Sequence, residues 1–435
     1  MRAGRTLAAA VLATAIALVG TVAGTAGTTA QAGAPPAPEC PASLHCRYAP
    51  AAYALVPGAK SASQYGDYDL ANRPEDGDRI DTIVIHDTET SAAAAIHAFQ
   101  HPADQASAHY LIGRDGSVTQ LVPDRDIAWH AGNKYVNAHS IGIEHEGYAM
   151  RADFTEAEYR ASAELVRWLA ARYGIPLDRD HVIGHDEVPA PDAAHTAGMH
   201  WDPGPYWNWR HYLALLGTRL KGARRTPRVG ETVTVDPPYG ADYQPRVTGC
   251  DDVCPARPAS FVYLRTGPSA YAPLITDPLA RAGLKQPTGT TLGADWTDKA
   301  VVGQRFVVAA VRGDWTAIWF DGQRAWFHNP DGAAALASRG DGAVRGPAPL
   351  SGTAYPSASD FAAAGVPAPA APAGPSRAVP AGQAYPAAGG APLPSDYYYT
   401  DALSCSAPTD CLRVTGAQTY TALHFNHRLA FTPTR

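Results

Sequence analysis

The β-branched run Ile83-Val84-Ile85 ends on His86 and gives way at once to the polar Asp87-Thr88-Glu89. That pattern predicts a buried strand, Ile80 to His86, which hands a side chain to the edge of a sheet. Ser91 to Gln100 reads as a short helix. His109 to Gly113 and Ser117 to Val122 read as strands around the turn signal Arg114-Asp115-Gly116. Ile141 to Glu144 is another buried strand. From Thr155 the period becomes helical: Tyr159, Ala163, Val166 and Ala170 recur on one face, joined by Leu165 and Leu169. Thr155 and Glu158 form a capping box, with Phe154 and Tyr159 as its hydrophobic staple. Gly174 ends the helix, with Pro176 just beyond. Val182 and Ile183 make a short strand into His185, and Trp209 to Leu216 a closing helix. Three helices on a mostly β sheet predict an α/β domain over residues 80–217, a central mixed sheet flanked by helices.

Beyond Arg225 the texture changes to short strands and turns, which predicts a small β-barrel module over residues 226–335. Its hairpin Trp315 to Phe327 is weakly repeated at Tyr420 to Phe431, and Arg-Val-Thr-Gly occurs at 246–249 and again at 413–416. Residues 396–435 are therefore expected to form a second β module or the split half of the first. Between them, residues 336–395 are rich in Ala, Pro and Gly and are expected to be a linker. Residues 33–79 show little periodicity and read as an extended segment wrapping the α/β domain. At the N-terminus, Arg2 and Arg5 precede an apolar stretch from Leu7 to Val22, and Ala30-Gln31-Ala32 fits a cleavage site. Residues 1–32 are expected to be a secretory signal peptide. A membrane anchor fits less well, because the stretch is short and rich in Ala, Gly and Thr.

Composition narrows the picture further. A chain of 435 residues with 46% hydrophobic content can build more than one core. A net charge of −6 argues against nucleic acid as a partner. The six cysteines fall in three close pairs, Cys40/Cys46, Cys250/Cys254 and Cys405/Cys411. Export makes disulfides their natural reading, although six cysteines allow several pairings.

The chemistry sits where strands end. His86, His185 and Asp202 supply two imidazoles and a carboxylate, the donor set of a catalytic zinc that keeps one position open. Such a metal polarises a carbonyl and acidifies water. Ile141-Gly142-Ile143-Glu144-His145-Glu146-Gly147 adds two carboxylates, and Glu144, following an apolar strand, is placed to be desolvated and raised in pKa. His200 could set a cationic ring over a developing oxyanion.

These residues carry a resemblance. Ile85-His86-Asp87-Thr88, Ala108-His109-Tyr110, Ala128-Trp129-His130-Ala131-Gly132, Ser140-Ile141-Gly142-Ile143-Glu144 and Asp202-Pro203-Gly204-Pro205 follow one another in family order. Together they resemble the zinc-dependent N-acetylmuramoyl-L-alanine amidases, a superfamily that includes the peptidoglycan recognition proteins, and look nearest to its secreted actinobacterial members. The resemblance covers residues 80–217, and the C-terminal units weakly resemble bacterial Src-homology-3-type modules. It implies His86, His185 and Asp202 as zinc ligands, Glu144 as the acid/base residue and peptidoglycan, both glycan strand and stem peptide, as the substrate. The implied reaction is hydrolysis of the amide between N-acetylmuramic acid and L-alanine. His200 stands where relatives place a Lys, Arg or other oxyanion-stabilising group, and a neutral His there would stabilise an oxyanion less than Lys. The gap between His185 and Asp202 is longer than in several relatives and contains His195, a rival to His185 as ligand. Ala108 stands where a phage relative has Tyr, which argues against a Tyr-based mechanism.

Trp129, His130, Asn133 and His109 are the candidate substrate contacts; Trp129 and His130 would otherwise be core, and Asn133 a turn residue. Glu146 and Glu187 read better as hydrogen-bonded support than as catalysts, and Asp87 and Thr88 as groups that orient His86. The alternative function is a non-catalytic peptidoglycan-binding protein, whose mark would be a missing zinc ligand. A zinc peptidase of another class is disfavoured because the chain lacks a His-Glu-x-x-His helix. A secreted, cell-wall-associated monomer with no membrane association after signal removal is expected.

Overall fold

A computed structural model describes residues 37–250, 254–280, 288–340, 342–372, 377–400, 403, 405 and 411–434. The expected signal peptide lies outside the described residues. Six strands build the central sheet: β1 (Cys46–Tyr48), β2 (Thr82–Ile85), β3 (Tyr110–Ile112), β4 (Val118–Gln120), β5 (Ser140–His145) and β6 (Val182–Gly184). Their order is β1-β4-β3-β5-β2-β6, and only β3 with β4 pairs antiparallel. β2 lies between two parallel neighbours, so its apolar run needs no polar alternation; Ile83, Val84 and Ile85 are fully buried.

Four helices accompany the sheet: α1 (Ala92–Phe99), α2 (Lys134–His139), α3 (Glu156–Tyr173) and α4 (Trp209–Leu215). Ser91 caps α1. The capping box of Thr155 and Glu158 forms at α3, and Gly174 closes that helix in the left-handed conformation, φ 72°. Phe154 and Tyr159 both pack on Trp207, at 5.0 and 4.4 Å between ring centroids. The short α2 was missed in the sequence because its six residues are too few to show a period; its only local sign is the N-cap Asn133.

The segment 33–79 does more than wrap the domain, since β1 joins the sheet edge in parallel with β4. In the chain beyond, β7 (Thr232–Val235), β8 (Arg305–Arg312), β9 (Trp315–Phe320), β10 (Gln323–His328) and β11 (Ala335–Ser338) form an antiparallel sheet in the order β10-β9-β8-β7-β11. The expected linker 336–395 is corrected: it holds strands at Ala343–Arg345, Ala348–Leu350 and Arg377–Val379, a helix at Ala358–Ala363, and most of a long strand, Ala384–Tyr399. That strand pairs with Leu412–His424, which turns back into Leu429–Pro433. Small residues serve close packing here, not flexibility: a Cβ on Gly346 or Gly352 would run into the carbonyls of Pro380 or Ala190. The described residues from Ala37 to Thr434 form one compact unit. All three close cysteine pairs are disulfides. Among the described residues no helix is long and apolar enough to cross a membrane.

An ionic cluster fastens the long hairpin to the α/β domain. His139 at the end of α2 bonds Asp396 at 3.1 Å, and Arg413 pairs with both Asp396 and Asp78. Asp78, His139 and Asp396 are spaced as metal ligands could be, but the Arg413 guanidinium already supplies their cation. Burial alone would lower the His139 pKa, yet Asp396, Asp81 and Asp78 push it up to about 9. A folded value above the unfolded one, about 6.5, gives stability that is complete below the unfolded value and is lost as pH climbs toward 9. The melting temperature of the unaltered chain is therefore expected to fall more steeply between pH 7 and 9 than that of His139→Gln, as read by scanning calorimetry. Parallel pH slopes would remove His139 as the cause.

Candidate active site

Register brings the chemistry together. Ile85 pairs with Ile143 on β5 and with Gly184 on β6. The next residue on each parallel strand is therefore His86, Glu144 and His185, level at the carboxyl edge of the sheet where α/β sites are built. Asp202 comes from the loop before Trp207. It is 3.3 Å from His86 Nδ1 and 3.0 Å from His185 Nδ1, and it accepts the Asp87 backbone N–H. His86, His185 and Asp202 are all buried, and each offers a ligand atom to a common centre.

A relay fixes the His86 ring. Its Nε2 faces His130 Nδ1 at 3.0 Å, His130 Nε2 faces Ser140 Oγ at 3.1 Å, and that hydroxyl donates to the Val136 carbonyl at 2.6 Å. With the Ser140 proton committed to Val136, each imidazole donates outward along the chain, and His86 Nδ1 keeps a bare lone pair toward Asp202. Gly142 makes room for this: a Cβ there would lie 2.5 Å from the His130 ring. Burial, followed by the nearby His185, brings the His86 pKa down to about 4, and burial holds His130 well below its ordinary value. Both rings are thus neutral, the form that binds metal.

Burial would raise Asp202, but His185, His200 and His86 hold it well below the usual carboxylate range. Glu144 is the reverse case: burial, then the charge of Asp202, push its carboxyl well above its ordinary value. Its Oε2 is sealed from solvent and has no hydrogen-bond partner. His185 Nε2 is likewise buried and unpaired. Two orphaned polar atoms beside a charged carboxylate are costly unless something binds there. His200 stacks on His185 with ring centroids 4.6 Å apart, turns its Nδ1 to Asp202 at 3.6 Å, and leaves the rest of its ring exposed. The Asp202 carboxylate beside it raises its pKa.

The remaining candidates separate by burial. His195 lies exposed on its loop, bonded to Asp192 at 2.7 Å, outside the cluster. His109 is fully buried; its Nδ1 accepts the Gly142 N–H at 3.1 Å and its Nε2 faces Arg73 and the Asp126 carbonyl, so the expected substrate contact is instead a core residue. Asn133 is also corrected. Its Oδ1 caps α2, and its Nδ2 donates to the carbonyls of Pro189 and Gly352, which leaves nothing for a substrate. His130 is buried behind His86 and works through the relay. Trp129 remains half-buried and, with Tyr65, Lys134 and Thr400, lines an open cavity of about 340 Å³. Glu146 accepts the N–H groups of Ala92 and Arg114, and Glu187 pairs with Arg179 and Gln304, which makes both of them supports. The part of Ser140 was invisible in the sequence, since one hydroxyl at a strand start carries no signal of a relay.

Residues 76–205 match a family model described as N-acetylmuramoyl-L-alanine amidase. The chain is 35% identical over 153 residues to N-acetylmuramoyl-L-alanine amidase A of Achromobacter lyticus, covering 31% of this chain and 81% of that protein. It is 40% identical over 118 residues to the 1,6-anhydro-N-acetylmuramyl-L-alanine amidase AmpD of Salmonella typhimurium (strain SL1344), covering 26% of this chain and 58% of that protein. Among solved structures, the crystal structure of a selenomethionine derivative of AmpD is similar with a TM-score of 0.29 and 27% identity, over 40% of this chain and 94% of that one.

Proposed function

Since the chain belongs to the N-acetylmuramoyl-L-alanine amidase family, we propose that it hydrolyses the amide joining N-acetylmuramic acid to the L-alanine of the peptidoglycan stem peptide, with zinc as its metal. The observation that carries this reading is the buried trio His86, His185 and Asp202 with Glu144 level beside it on the next strand. The donors suit zinc: two imidazoles and one carboxylate would leave a net positive centre, as in catalytic sites with three protein ligands. When bound, zinc supplies a Lewis acid that polarises the amide carbonyl and makes water easier to deprotonate.

The protein's own groups do the rest. The Glu144 carboxyl takes a proton from the attacking water, and its raised pKa lets it return that proton to the leaving amine. His200 presents its exposed edge, made more basic by Asp202, to the developing oxyanion. Half-buried Trp129, in the open cavity that it lines with Lys134 and Thr400, offers its ring to the sugar or peptide. Three disulfides agree with an enzyme secreted into an oxidising space to work at the cell wall.

Mass spectrometry of muropeptides after incubation with the full chain is the test. Free stem peptides with N-terminal alanine are expected, abolished by EDTA and restored by zinc. Cleavage confined to bonds between peptide residues, or hydrolysis undiminished by EDTA, would sink the proposal. Intact muropeptides with retained binding to sacculi would favour the recognition protein instead.

A further inference from the structure

The family match ends at residue 205, yet side chains from far beyond it brace the two segments that carry His185 and Asp202. Trp296 donates its indole N–H to the carbonyl of Trp201 at 2.9 Å, one residue before Asp202. His427 lies flat on Trp296, with ring centroids 4.4 Å apart and planes 3° from parallel, and bonds Asp186 Oδ2 at 2.9 Å. Asp186 follows His185 and gives its backbone N–H to the Asp202 carbonyl at 2.8 Å. Gln304 shares its amide nitrogen between Glu187 Oε1 at 3.0 Å and the His427 carbonyl at 2.7 Å.

Arg428 completes the brace. It sits in the turn of the C-terminal hairpin, between Leu412–His424 and Leu429–Pro433. Its Nη1 donates to the carbonyl of Val188 at 2.9 Å and its Nη2 to the carbonyl of His200 at 2.8 Å. Those carbonyls stand at the two ends of the long loop between His185 and Asp202. A guanidinium is a planar fork with fixed spacing between its N–H groups, so one side chain can hold both ends at a set distance. The loop itself has only the short turn Thr196–Gly198 as internal structure, and its neck is where the separation of His185 from Asp202 is decided.

We infer that Arg428, seconded by His427, is a positioning residue for the metal centre, and that the C-terminal hairpin is therefore part of the catalytic unit. Neither side chain needs to touch metal or substrate. Arg428 acts through the loop neck, and His427 through Asp186. The inference rests on reading the centre as a zinc site.

The test uses the full chain stripped of metal and titrated with zinc against a chromogenic chelator, for the unaltered protein, Arg428→Ala, Arg428→Lys, His427→Gln and, as a distant control, Arg312→Ala. Loss of an outer hydrogen-bond partner commonly costs ~10–100-fold in metal affinity. Arg428→Ala is expected to raise the zinc Kd by ~10-fold at least, with kcat on muramyl peptide falling and KM little changed. Arg428→Lys, which keeps the charge but holds at most one carbonyl, should fall between, and Arg312→Ala should match the unaltered chain. If Arg428→Ala does not fold, Arg428→Lys and His427→Gln carry the same comparison. Unchanged zinc affinity in the folded Arg428 variants overturns the inference, whatever happens to melting temperature or rate. Failure of the unaltered chain to bind zinc would instead bring down the zinc reading, and this inference with it.

Discussion

Glu144→Gln is expected to lower kcat for amide hydrolysis by ~10²–10⁴-fold, the usual contribution of a positioned general acid–base group, while zinc affinity stays within a few-fold of the unaltered value. The substitution keeps the shape of the side chain and removes only its ability to take and return a proton. Glu144 is not among the three groups that converge on the metal position, so binding of the ion should survive. Folding should survive as well. Burial and the charge of Asp202 already disfavour the Glu144 carboxylate, and a neutral amide removes that repulsion. The melting temperature is therefore expected to hold or rise. Single-turnover kinetics on a muramyl peptide, with zinc content measured on the same sample, separates the outcomes. A loss of activity that tracks a loss of zinc would remove Glu144 from the proton-transfer role and make it a ligand or support.

Asp202→Ala is expected to abolish both zinc binding and hydrolysis. Here the expected fall in affinity exceeds the roughly 100-fold that bounds most outer-shell losses, because a ligand itself is removed. Asp202 is the only anion of the trio, and it gathers His86, His185, His200 and the Asp87 N–H around it. Without it, two imidazoles face an ion with no carboxylate charge to offset it, and the buried Asp87 N–H loses its acceptor at about 1–3 kcal/mol. Asp202→Asn retains the packing and one acceptor oxygen, so it should fold more like the unaltered chain while still failing to hold zinc. His195→Ala is the matching control, with zinc content and rate expected to remain as they were. Zinc loss in His195→Ala would put His195 in place of His185 among the ligands.

Much of the α/β domain was legible because its signals are local. The run Ile83-Val84-Ile85 must be a doubly covered strand, since no polar alternation breaks it. The capping box at Thr155 and the glycine at 174 are chemistry between near neighbours, and they formed as read. His86, Glu144 and His185 were legible for a related reason: each follows a short apolar strand. Three parallel strands ending on ligand-type residues place those residues at one edge by topology alone.

The misses are of a different kind. His109 sits within a family-like motif and Asn133 directly follows one, which made them look like substrate contacts. Whether a polar side chain faces solvent or is consumed by the backbone depends on what packs over it, and residues such as Arg73 and Gly352 are distant in sequence. The stretch 336–395 has the composition of a linker because small residues serve flexible chains and tight packing equally well. The close approach of Gly346 to Pro380 and of Gly352 to Ala190 distinguishes the two uses.

Within the α/β domain the sequence by itself determined strands β2 to β6, helices α1, α3 and α4 and the candidate donors, through periodicity and caps that act over a few residues. The tertiary structure decided which donors meet, which histidines are locked in a relay, and that Arg428 closes the loop before Asp202. Those outcomes depend on strand register and on contacts between segments more than 200 residues apart, and no local pattern encodes them.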